Sequence, residues 1–480
     1  MYGGFNLLYE KILIFVFTFL LGTCLAFSVG CVSKPESPSY TLYLEYTDGV
    51  LQGKAVYKFV NTENCDLNEV KFHLRANAYA QNAVNKPTTE NSFDNAYYSG
   101  ESFGKIEILN VIKDGNKATC ELTENEEFLI VKETVENGET AQIEIDFTTT
   151  LPLANLRLGV TQKGVNLADF FPTACKIENG KFIQTPYSPI GDPYFFDSCD
   201  YFVQLTLPSC FTVASSGEPT QTLIDGEKTT YSYQLTGGRD FAFALSPDYT
   251  VSQKTVNGVT ISYYSLSSDG EKFLDLAVDC YSFFENTFGK TPYSTFSLAE
   301  TDFAFDGMEF TSLCFISADL SLEDKRLAIV HETAHEWWYG GVGNDQNECA
   351  FIDEGLCEYS TYLYLLSTDE RKANAFIEGA KSAYKSFFSI EKTLSGKVDT
   401  TMRRSLSTFK SEYEYYCVAY AKSLLAFYEY QNVVGVETAK NNLKKLYLNN
   451  YLGEIGLEEI ISALGKRAHF ESFVQGKVLI

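Results

Sequence analysis

The hydrophobic period of this chain changes once, about halfway along, and that change limits the possible folds more than any other feature. From Tyr40 to about Thr250, apolar and polar residues alternate in runs such as YTLYLEYTDGVLQGKAVYKFVN, the two-residue period of half-buried strands. Beyond that point, DGEKFLDLAVDCYSFFENTFG places apolar residues at every third or fourth position, as an amphipathic helix does. Strand-like STFSLAET and GMEFTSLCFIS follow. We therefore expect an antiparallel β domain over 40–250 and an α+β domain over 251–480, largely helical from Ser321 onward.

The first 31 residues are typical of a targeting segment rather than of part of the folded protein. Lys11 precedes an uncharged apolar run of 18 residues from Ile12 to Val29, and a small-residue step leads to Cys31, similar to a bacterial lipoprotein signal. Residues 32–39 are expected to be a linker rich in Pro and Ser. The alternative is an uncleaved anchor, because 18 apolar residues are just long enough to span a bilayer. Both interpretations predict an extracytoplasmic protein attached to the membrane.

The charge balance excludes one class of partner. Lys and Arg number 38 and Asp and Glu number 63, which gives 38 − 63 = −25. A negative charge of this size repels phosphate backbones, so nucleic acid is not an expected partner.

The sequence HETAH lies on a predicted helix and has metal-ligand spacing. Ser321 and Asp324 have the spacing of a helix N-cap, and His331 and His335 then share one face, four residues apart. Two imidazoles placed in this way can hold one metal ion. Glu332 lies about 100° around the helix axis, where its carboxylate reaches a metal-bound water without ligating the metal. A helix with two non-ligating histidines also fits the bare pattern.

A carboxylate on the next predicted helix completes a ligand set. Glu354 follows His335 after eighteen intervening residues (354 − 335 = 19), enough for a helix end, a loop and a new helix. Two neutral imidazoles and one carboxylate leave a tetrahedral zinc ion with one open position, as in hydrolytic sites. Glu358 is placed to accept a hydrogen bond from a ligating histidine, and a solvated Glu358 fits the same spacing equally well. Cys357 is an alternative ligand to Glu354.

At this point the chain resembles the zinc aminopeptidases of the aminopeptidase N family, within the gluzincin metallopeptidases. The residues that carry the resemblance are HETAHEWWYGGVGNDQNECAFIDEGLCEY and FGKTPYSTFSLAETDFAFDGMEF, with a weaker likeness in LADFFPTACK and GDPYFFDSCDYFVQLTLP. The resemblance implies an N-terminal β domain followed by a thermolysin-like zinc metallopeptidase domain. It also implies one zinc ion per chain, peptide substrates with a free N-terminus, and hydrolysis of the N-terminal peptide bond with Glu332 as the base.

The resemblance further assigns substrate contacts to Gly307, Met308 and Glu309. In the family signature Gly-x-Met-Glu-Asn, the Glu binds the free α-amine of the substrate, and Glu309 matches it. Asp306 and Phe310 stand where the family usually has Gly and Asn, which puts the approach of the substrate backbone to this strand in doubt.

The family also has a tyrosine that donates a hydrogen bond to the developing oxyanion, and by resemblance VAYAKSLL assigns this role to Tyr420. Tyr413, Tyr416 and Tyr420 share a face of the predicted helix, so Tyr416 is the alternative. Two other functions compete with an aminopeptidase: a thermolysin-like endopeptidase, which needs no free amine, and a non-catalytic surface lipoprotein that binds a partner.

Overall fold

The computed structural model describes residues 37–477, without the side chains of residues 468 and 469. The expected leader over 1–31 and most of the linker over 32–39 therefore lie outside the described residues. Among the residues that are described, no helix is both long enough and apolar enough to cross a bilayer.

The N-terminal part is built on an eight-stranded sheet whose strands alternate between buried and exposed residues. In spatial order the strands are Glu218–Asp225, Lys228–Gly238, Cys199–Pro208, Ser39–Thr47, Val50–Val60, Thr140–Thr150, Lys105–Lys113 and Asn116–Lys117. Tyr40, Leu42 and Leu44 point from one face of Ser39–Thr47 into the core, each at most 4% exposed. The pairing is antiparallel except where Ser39–Thr47 runs parallel to Cys199–Pro208. This one parallel pair departs from the predicted antiparallel pattern, because a long excursion of the chain separates the two strands.

Three smaller sheets complete this part of the protein. The first contains Thr212–Ser215, Phe243–Ser246, Val165–Leu167 and Leu158–Val160. The second contains Thr173–Ala174, Val70–His73, Phe128–Val131 and Cys120–Leu122, and the third pairs Ile177–Glu178 with Lys181–Phe182.

A five-stranded mixed sheet has at its edge the strand Gly307–Phe310, called the signature strand below because it contains Met308 and Glu309. Its order is Thr250–Val256, Val259–Ser265, Thr295–Thr301, Leu313–Ser317 and Gly307–Phe310. The expected strand-like stretch GMEFTSLCFIS is two antiparallel strands joined by a tight turn, with Ser312 at φ 64°. The predicted helix is Gly270–Phe288, and it ends at Gly289 with φ 117°, a backbone conformation that glycine adopts without strain.

The C-terminal part is helical, as the sequence predicts. Its helices are Leu322–Ala334, Gln346–Cys349, Asp353–Thr368, Glu370–Ser395, Glu412–Tyr415, Lys422–Val434, Val436–Asn449, Leu457–Leu464 and Arg467–Val474. Two wide π-helical segments, Glu336–Gly341 and Tyr416–Ala421, continue helices on either side of the cleft described below. Short helical turns occur at Arg75–Tyr79, Phe93–Ala96 and Leu406–Thr408.

A small apolar cluster joins the two parts and fixes the signature strand. Met308 and Phe310 pack in it with Tyr194, Phe196 and Ala244 from the β-rich part. Met308 and Phe310 therefore anchor one face of the edge strand. Glu309 lies between them in the sequence, so its backbone is held at a defined position. The predicted fold, a β domain followed by a helical metallopeptidase-like part, agrees with this architecture.

Candidate active site

The helix Leu322–Ala334, called the motif helix below, places two imidazoles together. Its N-cap is Ser321, whose hydroxyl accepts a hydrogen bond from the Asp324 backbone N–H at 3.2 Å, as the spacing predicts. His331 and His335 lie one turn apart, with 3.1 Å between their Nε2 atoms. His335 is the last residue before the π-helical segment.

Glu354 brings a carboxylate to the two imidazoles from the helix Asp353–Thr368. Its Oε2 lies 3.2 Å from Nε2 of His331 and 3.6 Å from Nε2 of His335. One ligand atom from each of the three residues lies within 4.8 Å of the others. The donor set of two imidazole nitrogens and one carboxylate oxygen fits a zinc ion. Cys357 belongs to no such group among the described residues, so the geometry favours Glu354 over the thiolate alternative.

Each imidazole is oriented by a contact at its Nδ1 atom. Oε1 of Glu358 lies 3.1 Å from Nδ1 of His331, an ion-pair distance at which the angle falls short of a linear hydrogen bond. Nδ1 of His335 lies 3.3 Å from the backbone carbonyl oxygen of Trp338. Both histidines therefore direct Nε2 toward Glu354, because their other ring nitrogens face acceptors.

The carboxylates and imidazoles change each other's protonation. Burial opposes the charge of His331, but the carboxylates of Glu354 and Glu358 outweigh burial and raise the pKa of His331 to about 10. Burial also opposes the charge of Glu354 and would raise its pKa, yet its hydrogen bonds to His331 and His335 lower that pKa to about 2. Without a cation, a proton therefore holds this cluster together, and a cation that binds there displaces it.

Glu332 lies beside the three residues, on the neighbouring face of the motif helix. Its side chain packs against Gly307, where an added Cβ would lie only 2.4 Å from Oε1. Oε2 is buried and has no hydrogen-bond partner among the described residues. Burial raises the pKa of Glu332 to about 7, although His331 and His335 act against that shift. A carboxyl group with a pKa near neutrality is suited to take up and release a proton at physiological pH.

The signature strand places its side chains around the same space. Glu309 is only 4% exposed, and its Oε1 accepts a hydrogen bond from Nε2 of Gln346 at 2.9 Å. One oxygen of Glu309, one of Glu332 and a nitrogen of His335 lie within 4.8 Å of one another. Sδ of Met308 accepts a hydrogen bond from Nε of Arg157 at 3.0 Å, so Met308 connects this strand to the β-rich part of the chain.

Tyr420 reaches the ligand cluster, and its alternative does not. Its hydroxyl donates to Oε1 of Glu354 at 2.5 Å, and its ring stacks on His331 with a centroid distance of 5.8 Å. Tyr416 is 44% exposed, and its ring contacts that of Tyr420. Tyr413 donates to the backbone carbonyl oxygen of Ala383, away from the cluster.

One cleft of about 500 Å³ is lined by the two histidines, Glu354, Glu332, Glu309 and Tyr420. Three lining residues carry no sequence signal that predicts them. Arg157 and Asp192 form a buried ion pair from the β-rich part. Tyr415, whose buried hydroxyl has no partner among the described residues, replaces Tyr413 on the cleft wall because the π-helical segment Tyr416–Ala421 changes the helical register.

Solved structures resemble this fold, whereas sequence comparisons find nothing. No protein-family model and no curated protein sequence matches the chain. A mutant M1 zinc metallopeptidase from Deinococcus radiodurans is 14% identical, with a TM-score of 0.64 over 92% of this chain and 96% of that one. The same enzyme bound to a Tyr-Ser-Ala substrate is 15% identical, with a TM-score of 0.62 and coverage of 92% and 96%.

A two-domain M1 zinc metallopeptidase bound to L-tryptophan is 14% identical, with a TM-score of 0.63 and coverage of 93% and 96%. At this level of identity, these likenesses show a shared two-domain fold.

Proposed function

We propose that this protein is a zinc-dependent aminopeptidase that removes N-terminal residues from peptides. The observation that carries the proposal is the convergence of the His331, His335 and Glu354 ligand atoms within 4.8 Å, in a cleft that also contains Glu332 and Glu309. The shared fold with M1 zinc metallopeptidases supports it. So do the ligands in those relatives, which are a tripeptide substrate in one case and an amino acid in another.

The two histidines and Glu354 would hold the zinc ion. A bound zinc ion supplies a Lewis acid that polarises the scissile carbonyl group and lowers the pKa of water. Glu358 keeps His331 oriented for this role through the 3.1 Å contact at Nδ1.

Glu332 moves the proton. Its unpartnered Oε2 is free to take a proton from the attacking water, and the pKa of about 7 lets the same carboxyl group release that proton to the leaving amine. Gly307 leaves room for this carboxylate beside the strand.

Tyr420 acts on the carbonyl oxygen of the scissile bond, and Glu309 acts on the α-ammonium group of the substrate. The Tyr420 hydroxyl lies at the ligand cluster, where it donates to Glu354, and with substrate bound it would donate to the carbonyl oxygen as negative charge develops there. The Glu309 carboxylate would bind the substrate's α-ammonium group by a charge-assisted hydrogen bond. This contact limits cleavage to the first peptide bond.

A matched pair of peptides tests the proposal. One tripeptide amide is offered to the zinc-loaded protein with a free N-terminus and, separately, with an acetylated N-terminus. We expect hydrolysis of the free peptide only, with release of its first residue. Glu309→Ala should raise KM for free-amine peptides and leave the acetylated peptide uncleaved.

Two results would contradict the proposal. Equal cleavage of both peptides at an internal bond indicates a thermolysin-like endopeptidase. No hydrolysis of a broad panel of aminoacyl amides, with zinc bound, indicates a non-catalytic binding protein.

We also propose that the protein is held at the outer side of the membrane through a lipid on Cys31. The support is the apolar run and small-residue step of the leader. Full-length protein should appear in the membrane fraction and take up labelled fatty acid, and Cys31→Ser should lose the label. A membrane-bound protein that is unlabelled indicates the uncleaved anchor instead.

A further inference from the structure

The short helix Gln346–Cys349 carries a buried amide between two carboxylates. Gln346 is 1% exposed, and its backbone N–H donates to the carbonyl oxygen of Tyr194 at 3.1 Å. Its side-chain nitrogen Nε2 lies 2.9 Å from Oε1 of Glu309 and 2.5 Å from Oδ2 of Asp353. Gln346 therefore connects the signature strand to the residue that precedes Glu354.

The two carboxylates determine how this amide is oriented. A primary amide nitrogen has two N–H groups, and here one is available for each carboxylate. The reverse orientation would place the amide oxygen against two acceptors. The amide oxygen of Gln346 is buried and has no partner in the described part of the chain, which agrees with an orientation determined entirely by the N–H groups.

Gln346 is what fixes the side chain of Glu309. Among the described residues, Gln346 is the one hydrogen-bond partner of the Glu309 carboxylate, and the bond uses Oε1 only. The second oxygen, Oε2, is not among the fully buried, unpartnered atoms, and Glu309 lines the cleft. Oε2 is therefore the oxygen that faces the cleft.

Asp353 does not depend on Gln346 in the same way. Its other oxygen, Oδ1, accepts a hydrogen bond from Nδ2 of Asn344 at 3.1 Å. Removal of the Gln346 amide therefore leaves Asp353, and Glu354 after it, with a remaining anchor, whereas Glu309 loses its single hydrogen bond.

We propose that Gln346 is a positioning residue for substrate recognition: its amide fixes Glu309 so that the free carboxylate oxygen meets the α-ammonium group of a peptide. The inference rests on the proposed function, because it assigns to Glu309 the binding of the free amine. Gln346 itself contacts no substrate and acts through Glu309.

Gln346→Met tests this with a side chain of similar length that has no N–H group. With zinc-loaded protein and the free-amine tripeptide amide, we expect KM to rise about tenfold or more, the usual worth of a hydrogen bond to a charged group. We expect kcat to change less than about threefold and zinc content to stay at one ion per chain, because no ligand loses its anchor. Asn347→Ala is the matched control, because Asn347 lies on the same short helix and its side-chain amide donates to Glu348, away from Glu309.

A double variant shows whether Gln346 acts through Glu309. In a Glu309→Ala background there is no carboxylate to position, so adding Gln346→Met should raise KM less than about twofold. If Gln346→Met fails to fold or to bind zinc, Gln346→Asn decides, because its shorter amide cannot reach both carboxylates and should also raise KM.

Three results overturn the inference while leaving the aminopeptidase proposal intact: an unchanged KM, a fall in kcat alone, or an additive effect in the Glu309→Ala background. Failure of the aminopeptidase proposal is recognised separately, because the wild-type protein would then cleave acetylated and free peptides alike, and the inference would fall with it.

Discussion

Replacing Glu332 with glutamine should abolish turnover and, at the same time, make the metal-free protein more resistant to unfolding at alkaline pH. Glutamine keeps the shape of the side chain but cannot accept the proton of the attacking water. A general base contributes about 10²- to 10⁴-fold to the rate, which corresponds to about 2.7 to 5.4 kcal/mol in the activation barrier. The variant should therefore bind zinc normally and retain at most about one hundredth of the wild-type kcat.

The stability change follows from the burial of the carboxylate. Burial raises the pKa of Glu332 from 4.5 to about 7, and the difference between these values corresponds to about 3 kcal/mol. The unfolded chain loses the proton near pH 4.5 and the folded protein near pH 7, so ionisation destabilises the folded state progressively as pH rises between these values. About 1 kcal/mol of this penalty is present at pH 5, and about 2 kcal/mol more develops by pH 8.

The variant lacks this penalty, so its advantage over the wild type should grow by about 2 kcal/mol from pH 5 to pH 8. A buried amide without partners costs about 1 to 3 kcal/mol, but that cost is the same at both pH values and cancels in the comparison. Urea unfolding of both proteins in chelator at pH 5 and pH 8 measures the difference. A pH-independent difference, or a zinc-loaded variant with near-wild-type kcat, would refute the reasoning.

Three further predictions concern the same cluster. Tyr420→Phe removes one hydrogen-bond donor to the developing oxyanion and should lower kcat about 10²- to 10³-fold with zinc content unchanged; a change only in KM would remove Tyr420 from the chemistry. Glu358→Gln should weaken zinc binding about 10- to 100-fold, because His331 loses the carboxylate at Nδ1; competition with a zinc chelator measures this, and an unchanged affinity contradicts it. The pKa of His331 is about 10 before zinc binds, and that of His335 is also raised well above its usual value, because the neighbouring Cys357 and Glu309 outweigh burial. Zinc must therefore displace protons from the imidazoles, so its affinity should increase at least about tenfold for each rise of one pH unit from 6 to 9. Calorimetry in two buffers of different ionisation enthalpy should detect the released protons, and a pH-independent affinity argues against this displacement.

Local patterns were sufficient for the fold and for the residues on the motif helix. Alternation with a period of two predicts the strands, and the N-cap at Ser321 fixes the helical phase that brings His331 and His335 onto one face. The role of Glu354 could also be predicted from the sequence, because eighteen intervening residues are enough for the chain to return to the motif helix.

The remaining parts of the cleft depend on features that a local pattern does not contain. A π-helical segment shifts the register after Glu412–Tyr415, so that Tyr415, and not Tyr413, lines the cleft. Arg157 and Asp192 come from the β-rich part of the chain, and their pairing is a long-range contact. Gln346 is a single polar residue at the start of a short helix, and only its two carboxylate partners show its importance.

The central claim is that two histidines and Glu354 bind one zinc ion, and equilibrium dialysis with elemental analysis tests it most directly. Chelator-treated protein is dialysed against zinc as the wild type and as His335→Ala and Glu354→Gln variants, with Glu323→Gln on the exposed start of the motif helix as a control. We expect one zinc ion per chain for the wild type and the control, and a loss of affinity of several orders of magnitude for the two ligand variants. A wild-type protein that takes up no zinc, or ligand variants that bind it as tightly as the wild type, would contradict the account.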